Sequence, residues 1–67
     1  MSKTTFGQRL KFLRKQMGYT QKELGEMIGT SQASIFQWER DNHSPQLIMV
    51  MSLADVFGMT LDELVGR

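Results

Sequence analysis

The pattern Thr-x-x-Gln/Glu occurs three times in this 67-residue chain, beginning at Thr5, Thr20 and Thr60. The pattern is typical of a capping box, in which the threonine side chain binds the backbone amide three residues later and the glutamine or glutamate binds back. Glycines end the apolar segments, at Gly18, Gly29 and Gly58. Because so many start and stop signals leave room only for short helices, the sequence predicts an all-α fold of five short helices.

Apolar spacing and caps predict helices at about residues 6–17, 21–28, 32–40, 45–57 and 61–65, within one domain that covers residues 1–67. Ser31 caps the third helix, and Ser44 with Pro45 starts the fourth, because proline is favoured at a first helical position. The first helix is expected to bury Phe6, Leu10, Leu13 and Met17, and the fourth to bury Leu47, Val50, Met51, Ala54 and Phe57.

Composition excludes several classes of protein. The chain has no cysteine and one histidine, so disulfides and most zinc sites are excluded, and we expect neither a metal nor another cofactor. No apolar run is long enough to span a membrane, which makes a cytoplasmic protein the expectation. Residues 1–40 carry seven basic and three acidic side chains, a net charge of +4, whereas residues 41–67 carry −3. The basic half therefore favours an anionic partner.

The basic half contains two short amphipathic helices joined by Gly29-Thr30-Ser31. Leu24 and Ile28 share one face of the first, and Ile35 and Trp38 share one face of the second, so these four side chains are expected in the core. A three-residue turn with glycine between two such helices is typical of the helix-turn-helix. The segment Gln21–Arg40 therefore predicts a DNA-binding protein.

The chain resembles the DNA-binding domain of phage repressors, Cro proteins and related bacterial regulators, a lambda-repressor-like (XRE-type) family. The matching segments are RLKFLRKQMGYTQKELG, IGTSQASIFQWER and SPQLIMVMSLADVFGMTLDELV. The resemblance implies a compact five-helix domain in which the second and third helices form the helix-turn-helix. It also implies a sequence-specific transcriptional regulator, a repressor, that binds a palindromic operator in double-stranded DNA as a homodimer. Such a bacterial or phage-encoded protein would act at the nucleoid, with no small-molecule ligand or membrane.

The resemblance also implies roles for individual side chains. In the family, a glutamine at the position of Gln21 contacts a phosphate and braces one at the position of Gln32, whose amide pairs with adenine. The helical wheel places further side chains on the same outward face as Gln32. The predicted base-contacting residues are Gln32, Ala33, Phe36 and Gln37. The predicted phosphate-contacting residues are Gln21, Lys22, Ser34, Arg40, Asn42 and His43.

Two further sets of residues have predicted structural roles. The family often joins the positions of Arg14 and Glu39 by an ion pair between the first and third helices. The contribution of this ion pair to the stability of the fold depends on its burial, which the sequence leaves open. Ile48 and Met49 lie at positions that are frequently polar in the family. Together with Leu61 and Val65 they form a candidate dimer interface, and the alternative is that they belong to the core in a slightly different packing.

Two other functions compete with DNA binding. Exposed apolar side chains such as Phe12, Phe36 and Ile48 would suit a helix-turn-helix protein-interaction module, such as an antitoxin or a regulator fragment. An enzyme is disfavoured, because the sequence contains no cysteine nucleophile, no phosphate-binding glycine loop and no histidine with a partner at useful spacing.

Overall fold

The computed structural model describes residues 4–66. Lys3 and Arg67, which contribute to the charges of the two halves, lie outside this range. Residues 4–66 form five helices and no strand, which confirms the predicted all-α fold. The helices are α1 (Phe6–Gln16), α2 (Gln21–Ile28), α3 (Gln32–Glu39), α4 (Leu47–Phe57) and α5 (Leu61–Leu64). None of these helices is long and apolar enough to cross a membrane.

All three predicted capping boxes are present. In each box the threonine hydroxyl accepts from the backbone N–H three residues later, and the side chain there accepts from the threonine N–H. Ser31 caps α3 by accepting from the N–H of Ser34 at 3.1 Å. Gly29 has φ 78° and Gly58 has φ 67°, and each of them closes its helix in the left-handed conformation. The helix boundaries are thus set largely by local hydrogen bonds.

One small core joins all five helices. Each helix contributes one side chain with no solvent exposure, and these are Leu10, Leu24, Ile35, Leu53 and Leu64. Burial of each such side chain stabilises the fold by about 1.5–3 kcal/mol. Trp38, at 7% exposure, packs in the same cluster. Ile35 and Trp38 therefore fix which face of α3 is turned to the core.

The predicted start of α4 was wrong. The helix begins at Leu47, after the N-cap Gln46, which makes no side-chain capping bond. The first backbone carbonyl that accepts hydrogen bonds from the helix is that of Gln46, which accepts from the N–H groups of Met49 and Val50 at 2.9 and 3.1 Å. Proline is compatible with a first helical turn but does not require one, and here Pro45 stays in the loop.

Three residues predicted to be in the core are exposed. Leu47 is 67% exposed and Met51 46% exposed, whereas Leu53, which was not assigned inward, is fully buried. Residues 47–51 are apolar on every face, so periodicity alone could not fix the orientation of α4. Met17 is also 46% exposed, because it lies at the C-cap of α1, beyond the last turn that packs on the core.

The N-terminus of α1 packs directly on the C-terminus of α3. A Cβ atom at Gly7 would lie 2.5 Å from the carbonyl oxygen of Trp38, so only glycine permits this approach. Asp41, just beyond α3, accepts from the N–H of Gly7 at 2.9 Å and from the hydroxyl of Thr5 at 2.6 Å. A carboxylate at a helix N-terminus is favoured by the helix dipole. Asp41 therefore fastens the two helices together.

A second long-range contact fastens α5. The guanidinium of Arg9 donates from Nε to the carbonyl oxygen of Leu64 at 2.7 Å and also binds the carbonyl of Glu63. In the capping box of α5, hydrogen bonds from the backbone N–H and the hydroxyl of Thr60 lower the pKa of Glu63, and the charge of Arg9 adds to this shift. A helix of four residues is thus held at both ends by side chains.

Candidate nucleic-acid interface

The turn between α2 and α3 lies close over α2. After Gly29 the N–H of Thr30 donates to the carbonyl of Gly25 at 2.8 Å, which turns the chain sharply. A Cβ atom at Gly25 would lie 2.9 Å from the carbonyl oxygen of Thr30, which is closer than real Cβ atoms approach. Glycine at this position therefore lets the turn and the start of α3 pack directly on α2.

The outward face of α3 carries a mixed set of polar and apolar side chains. Gln32 and Ala33 are exposed in its first turn, and Gln37 is half-buried one turn further on. Phe36 lies between them in sequence and is 42% exposed. Because Ile35 and Trp38 hold the opposite face in the core, all four predicted base-contacting residues lie together on an accessible face.

Two contacts order the end of this face nearest the C-terminus of α3. The guanidinium carbon of Arg40 lies 5.3 Å from the ring centroid of Phe36, a cation–π arrangement. The side-chain amide of Asn42 donates to Oε1 of Gln37 at 3.0 Å. Arg40 and Asn42, which are predicted to contact phosphate, thus each lie against a residue of the outward face.

The N-terminus of α2 lies beside α3 and contains Gln21 and Lys22. Lys22 is exposed. The Thr20 hydroxyl binds the backbone N–H of Glu23, so the N–H groups of Gln21 and Lys22 are those available to an anion in the first turn. Nε2 of the half-buried Gln21 donates to Oε1 of Glu39 at 3.1 Å. Gln21 is therefore held by the C-terminal end of α3.

A buried ion pair lies behind this surface. Nε of Arg14 is 2.6 Å from Oε2 of Glu39, and Nη2 donates to Oε1 at 3.1 Å, which makes the pair bidentate. The two side chains are only 10% and 3% exposed. Nη1 of Arg14 also donates to the carbonyl of Tyr19 at 2.8 Å. The pair thus ties α1, the loop before α2 and the C-terminus of α3 into one network with Gln21.

The remaining residues with predicted roles lie outside the outward face of α3. Ser34 is half-buried and accepts from the hydroxyl of Ser31 at 3.1 Å, while His43 is exposed in the loop after α3. On α4 and α5, Ile48 is 59%, Val65 43% and Leu61 38% exposed, and Met49 is half-buried against the core. Within residues 4–66, no group of three or more His, Asp or Glu side chains is placed to hold a metal ion.

The sequence did not indicate the residues that fasten the C-terminus of α3 and the helix α5. Asp41 lies 34 and 36 positions from its two partners, Gly7 in the first turn of α1 and the N-cap Thr5, and its positive φ of 60° is unusual for a residue other than glycine. Arg9 binds carbonyls 54 and 55 positions away. The pairing of Asn42 with Gln37 was missed as well.

The fold and this surface together define a helix-turn-helix domain, and the chain belongs to the helix-turn-helix family, whose profile matches residues 10–64. The transcriptional regulator ImmR of Bacillus subtilis is 32% identical over 94% of this chain and 50% of its own length. The immunity repressor of Bacillus phage phi105 is 34% identical over 94% of this chain and 44% of its own length. The chain therefore spans about half the length of these curated relatives.

A solved structure of the c2 repressor of Salmonella phage P22, in complex with a synthetic operator, superposes with a TM-score of 0.88. That protein is 30% identical, and the match covers 94% of this chain and 96% of that one. The resemblance to phage repressors is thus confirmed, and so is the fold in which α2 and α3 form the helix-turn-helix.

Proposed function

We propose that this chain is a sequence-specific, double-stranded DNA-binding transcriptional regulator of the repressor type. In this proposal α3 enters the major groove and the N-terminus of α2 lies on the phosphate backbone. The observation that carries the proposal is the outward face of α3, where two glutamines, Gln32 and Gln37, flank the small Ala33 and the exposed Phe36. Glutamine amides donate and accept, as base edges require, and alanine and phenylalanine suit thymine methyl groups.

The backbone contacts in this proposal come from side chains around α3. Lys22 and Arg40 are exposed cations, Gln21 is fixed by Glu39, and Ser34, Asn42 and His43 complete the predicted phosphate-contacting set. Charge-assisted contacts to phosphate supply affinity and orient the protein but carry no sequence information. Because few cations lie on this surface, we expect a shallow salt dependence for each monomer and a strong need for a second copy.

A homodimer on a palindromic operator follows from the small size of the domain. A single module of this kind buries little DNA surface, whereas two copies bind half-sites one turn, about 34–36 Å, apart. Ile48, Met49, Leu61 and Val65 are the proposed dimer interface. Leu47 and Met51, which the structure leaves exposed, extend the apolar surface of α4 beside them. Operator DNA of bacteria and their phages lies in the cytoplasm, which is the proposed site of action, and the proposal requires no small-molecule ligand or catalytic activity.

Selection of bound duplexes from a random pool, followed by a salt titration of the best duplex, tests this proposal. We expect an enriched palindrome and an affinity that falls linearly with salt on logarithmic axes. Sedimentation with the selected duplex should give two copies per operator. Recovery of no enriched sequence, together with salt-independent binding, would exclude the proposal, and a strictly 1:1 complex would exclude the two-half-site arrangement.

A protein-interaction module is the second candidate, and one observation favours it. Phe12 on α1 is 57% exposed, as Ile48 and Leu47 are at 59% and 67%, and apolar side chains this exposed are suited to a protein partner. If the random-duplex selection fails, Phe12→Ser and Ile48→Ser should abolish binding of that partner in a pull-down with cell extract. Recovery of an operator whose binding is lost in Gln32→Ala would instead favour DNA.

A further inference from the structure

Gln37 and Asn42 are joined by two parallel hydrogen bonds. The backbone N–H of Asn42 donates to the backbone carbonyl of Gln37 at 3.0 Å. Its side-chain Nδ2 donates to Oε1 of Gln37, also at 3.0 Å. Gln37 is on the outward face of α3, so the second bond acts on a side chain that points to solvent in the free protein.

The position of Asn42 is set by the end of α3. The N–H of Asn42 binds the carbonyl of Gln37, and the N–H of Asp41 binds that of Trp38 at 3.1 Å, which together form a Schellman motif. Asp41 takes the left-handed conformation that this motif requires, with φ 60°. Its carboxylate is in turn bound by Thr5 and by the N–H of Gly7. Asn42 is therefore placed by the backbone and by α1 before any ligand binds.

The side-chain bond gives the Gln37 amide a direction. An amide has one carbonyl oxygen and one NH2 group, and it matches adenine only when both are free to pair with N7 and N6. Here Oε1 accepts from Asn42, which turns the oxygen toward Asn42 and leaves the NH2 group turned away from it. Exclusion of water at an interface strengthens such a bond, and breaking it would leave the Asn42 amide unpaired.

We propose that Asn42 is a positioning residue that holds the Gln37 oxygen toward itself and presents the Gln37 NH2 group to the bases, so that Gln37 selects guanine or thymine over adenine and cytosine. Guanine offers N7 and O6, and thymine offers O4, to a donor in the major groove. Adenine offers N7 as an acceptor, but its N6 donor lies beside N7 and opposes a second donor, and cytosine offers only its N4 donor. The inference rests on the proposed DNA-binding function and gives Asn42 a role in base choice in place of the predicted phosphate contact.

The test is random-duplex selection with the wild type and four variants. Gln37→Ala identifies the base position that Gln37 contacts, because preference is lost there alone. At that position the wild type should enrich guanine or thymine over adenine and cytosine by about fivefold or more, the lower end of what a good base contact provides. Asn42→Ala should weaken this preference and allow adenine, because both ends of the Gln37 amide become free.

Asn42→Asp is the decisive variant. An ionised carboxylate only accepts hydrogen bonds, so Gln37 must turn its NH2 group toward residue 42 and its oxygen outward. The preference should then reverse toward adenine or cytosine at the same position. His43→Asp adds the same charge one residue later and serves as the matched control, with weaker binding of all duplexes and an unchanged preference.

The outcomes separate the two proposals. A wild type that enriches no sequence overturns the proposed function and this inference together. A wild type that binds an operator but prefers adenine at the Gln37 position, or an Asn42→Asp variant with an unreversed preference, overturns the role of Asn42 and leaves the DNA-binding function standing.

Discussion

Replacement of Arg14 by methionine leaves the Glu39 carboxylate buried without its counter-ion, and we expect this to lower the free energy of unfolding by about 3–5 kcal/mol. The two side chains are 10% and 3% exposed, so little water can replace the lost partner. Arg14 donates two bonds to Glu39 and one to Tyr19, at 2.6, 3.1 and 2.8 Å. The remaining donor to Glu39 is the neutral amide of Gln21, which cannot balance the charge.

Burial decides this magnitude, because an exposed ion pair would contribute only about 0–1 kcal/mol. A chain of this length has a total free energy of unfolding of roughly 3–10 kcal/mol, so the variant is expected to be partly or fully unfolded in dilute buffer. Urea unfolding followed by circular dichroism is therefore carried out in sulfate, which raises the stability of wild type and variant alike. Lys15→Met, a change at the exposed neighbouring position, is the control and should shift stability by less than about 0.5 kcal/mol.

The double variant Arg14→Met/Glu39→Leu separates loss of the ion pair from loss of packing. Removal of both charges leaves no buried ion, so we expect stability to return to within about 1–2 kcal/mol of the wild type. A loss below about 1 kcal/mol in Arg14→Met, or a double variant no more stable than the single one, would refute the assignment of this pair as a buried charge network.

Three further changes test the contacts that hold the helices together. Gly7→Ala should lower the free energy of unfolding in urea by at least about 1–3 kcal/mol, because the added methyl group would lie 2.5 Å from a backbone oxygen. Gly25→Ala should lower it less, since its clash, at 2.9 Å, is offset by about 1 kcal/mol of helix propensity. Arg9→Met should cost about 1–2 kcal/mol and increase amide hydrogen exchange in α5 selectively; uniform exchange would contradict this. The pKa of Glu63 is lowered in the folded state, so the stability that its carboxylate provides is complete above the unfolded pKa of about 4.5 and is lost as pH falls through the folded pKa. Glu63→Gln should therefore lose less stability than the wild type in urea unfolding between pH 5 and 3. Parallel pH profiles for the two proteins would contradict the shift.

The parts of the fold that depend on neighbouring residues could be predicted from the sequence. The capping boxes at Thr5, Thr20 and Thr60 act within four residues, so the starts of α1, α2 and α5 were predicted correctly. The inward positions of Ile35 and Trp38 follow from a spacing of three on a helix whose other side chains are mostly polar. Because the opposite face of α3 is then fixed, the set of outward side chains could also be predicted.

Contacts between distant residues could not be predicted. The carboxylate of Asp41 meets α1 only after α3 has packed, and nothing near Asp41 in sequence indicates its partners. The orientation of α4 was missed for a different reason: Leu47, Ile48 and Met51 are as apolar as the buried Leu53, so hydropathy does not distinguish the two faces. The direction of the Gln21 amide depends on Glu39, which lies 18 residues away on another helix, and that of the Gln37 amide depends on Asn42, beyond the end of α3.

The central claim, that the outward face of α3 recognises DNA sequence, is tested most directly by measuring the affinity of Gln32→Ala for the selected duplex and for a scrambled one. We predict a loss of about 1–3 kcal/mol on the selected duplex and little change on the scrambled one. Arg40→Ala should weaken binding to both duplexes alike, and Gln16→Ala, at an exposed position on α1, should change neither. Equal losses on the two duplexes for Gln32→Ala would contradict base recognition by α3.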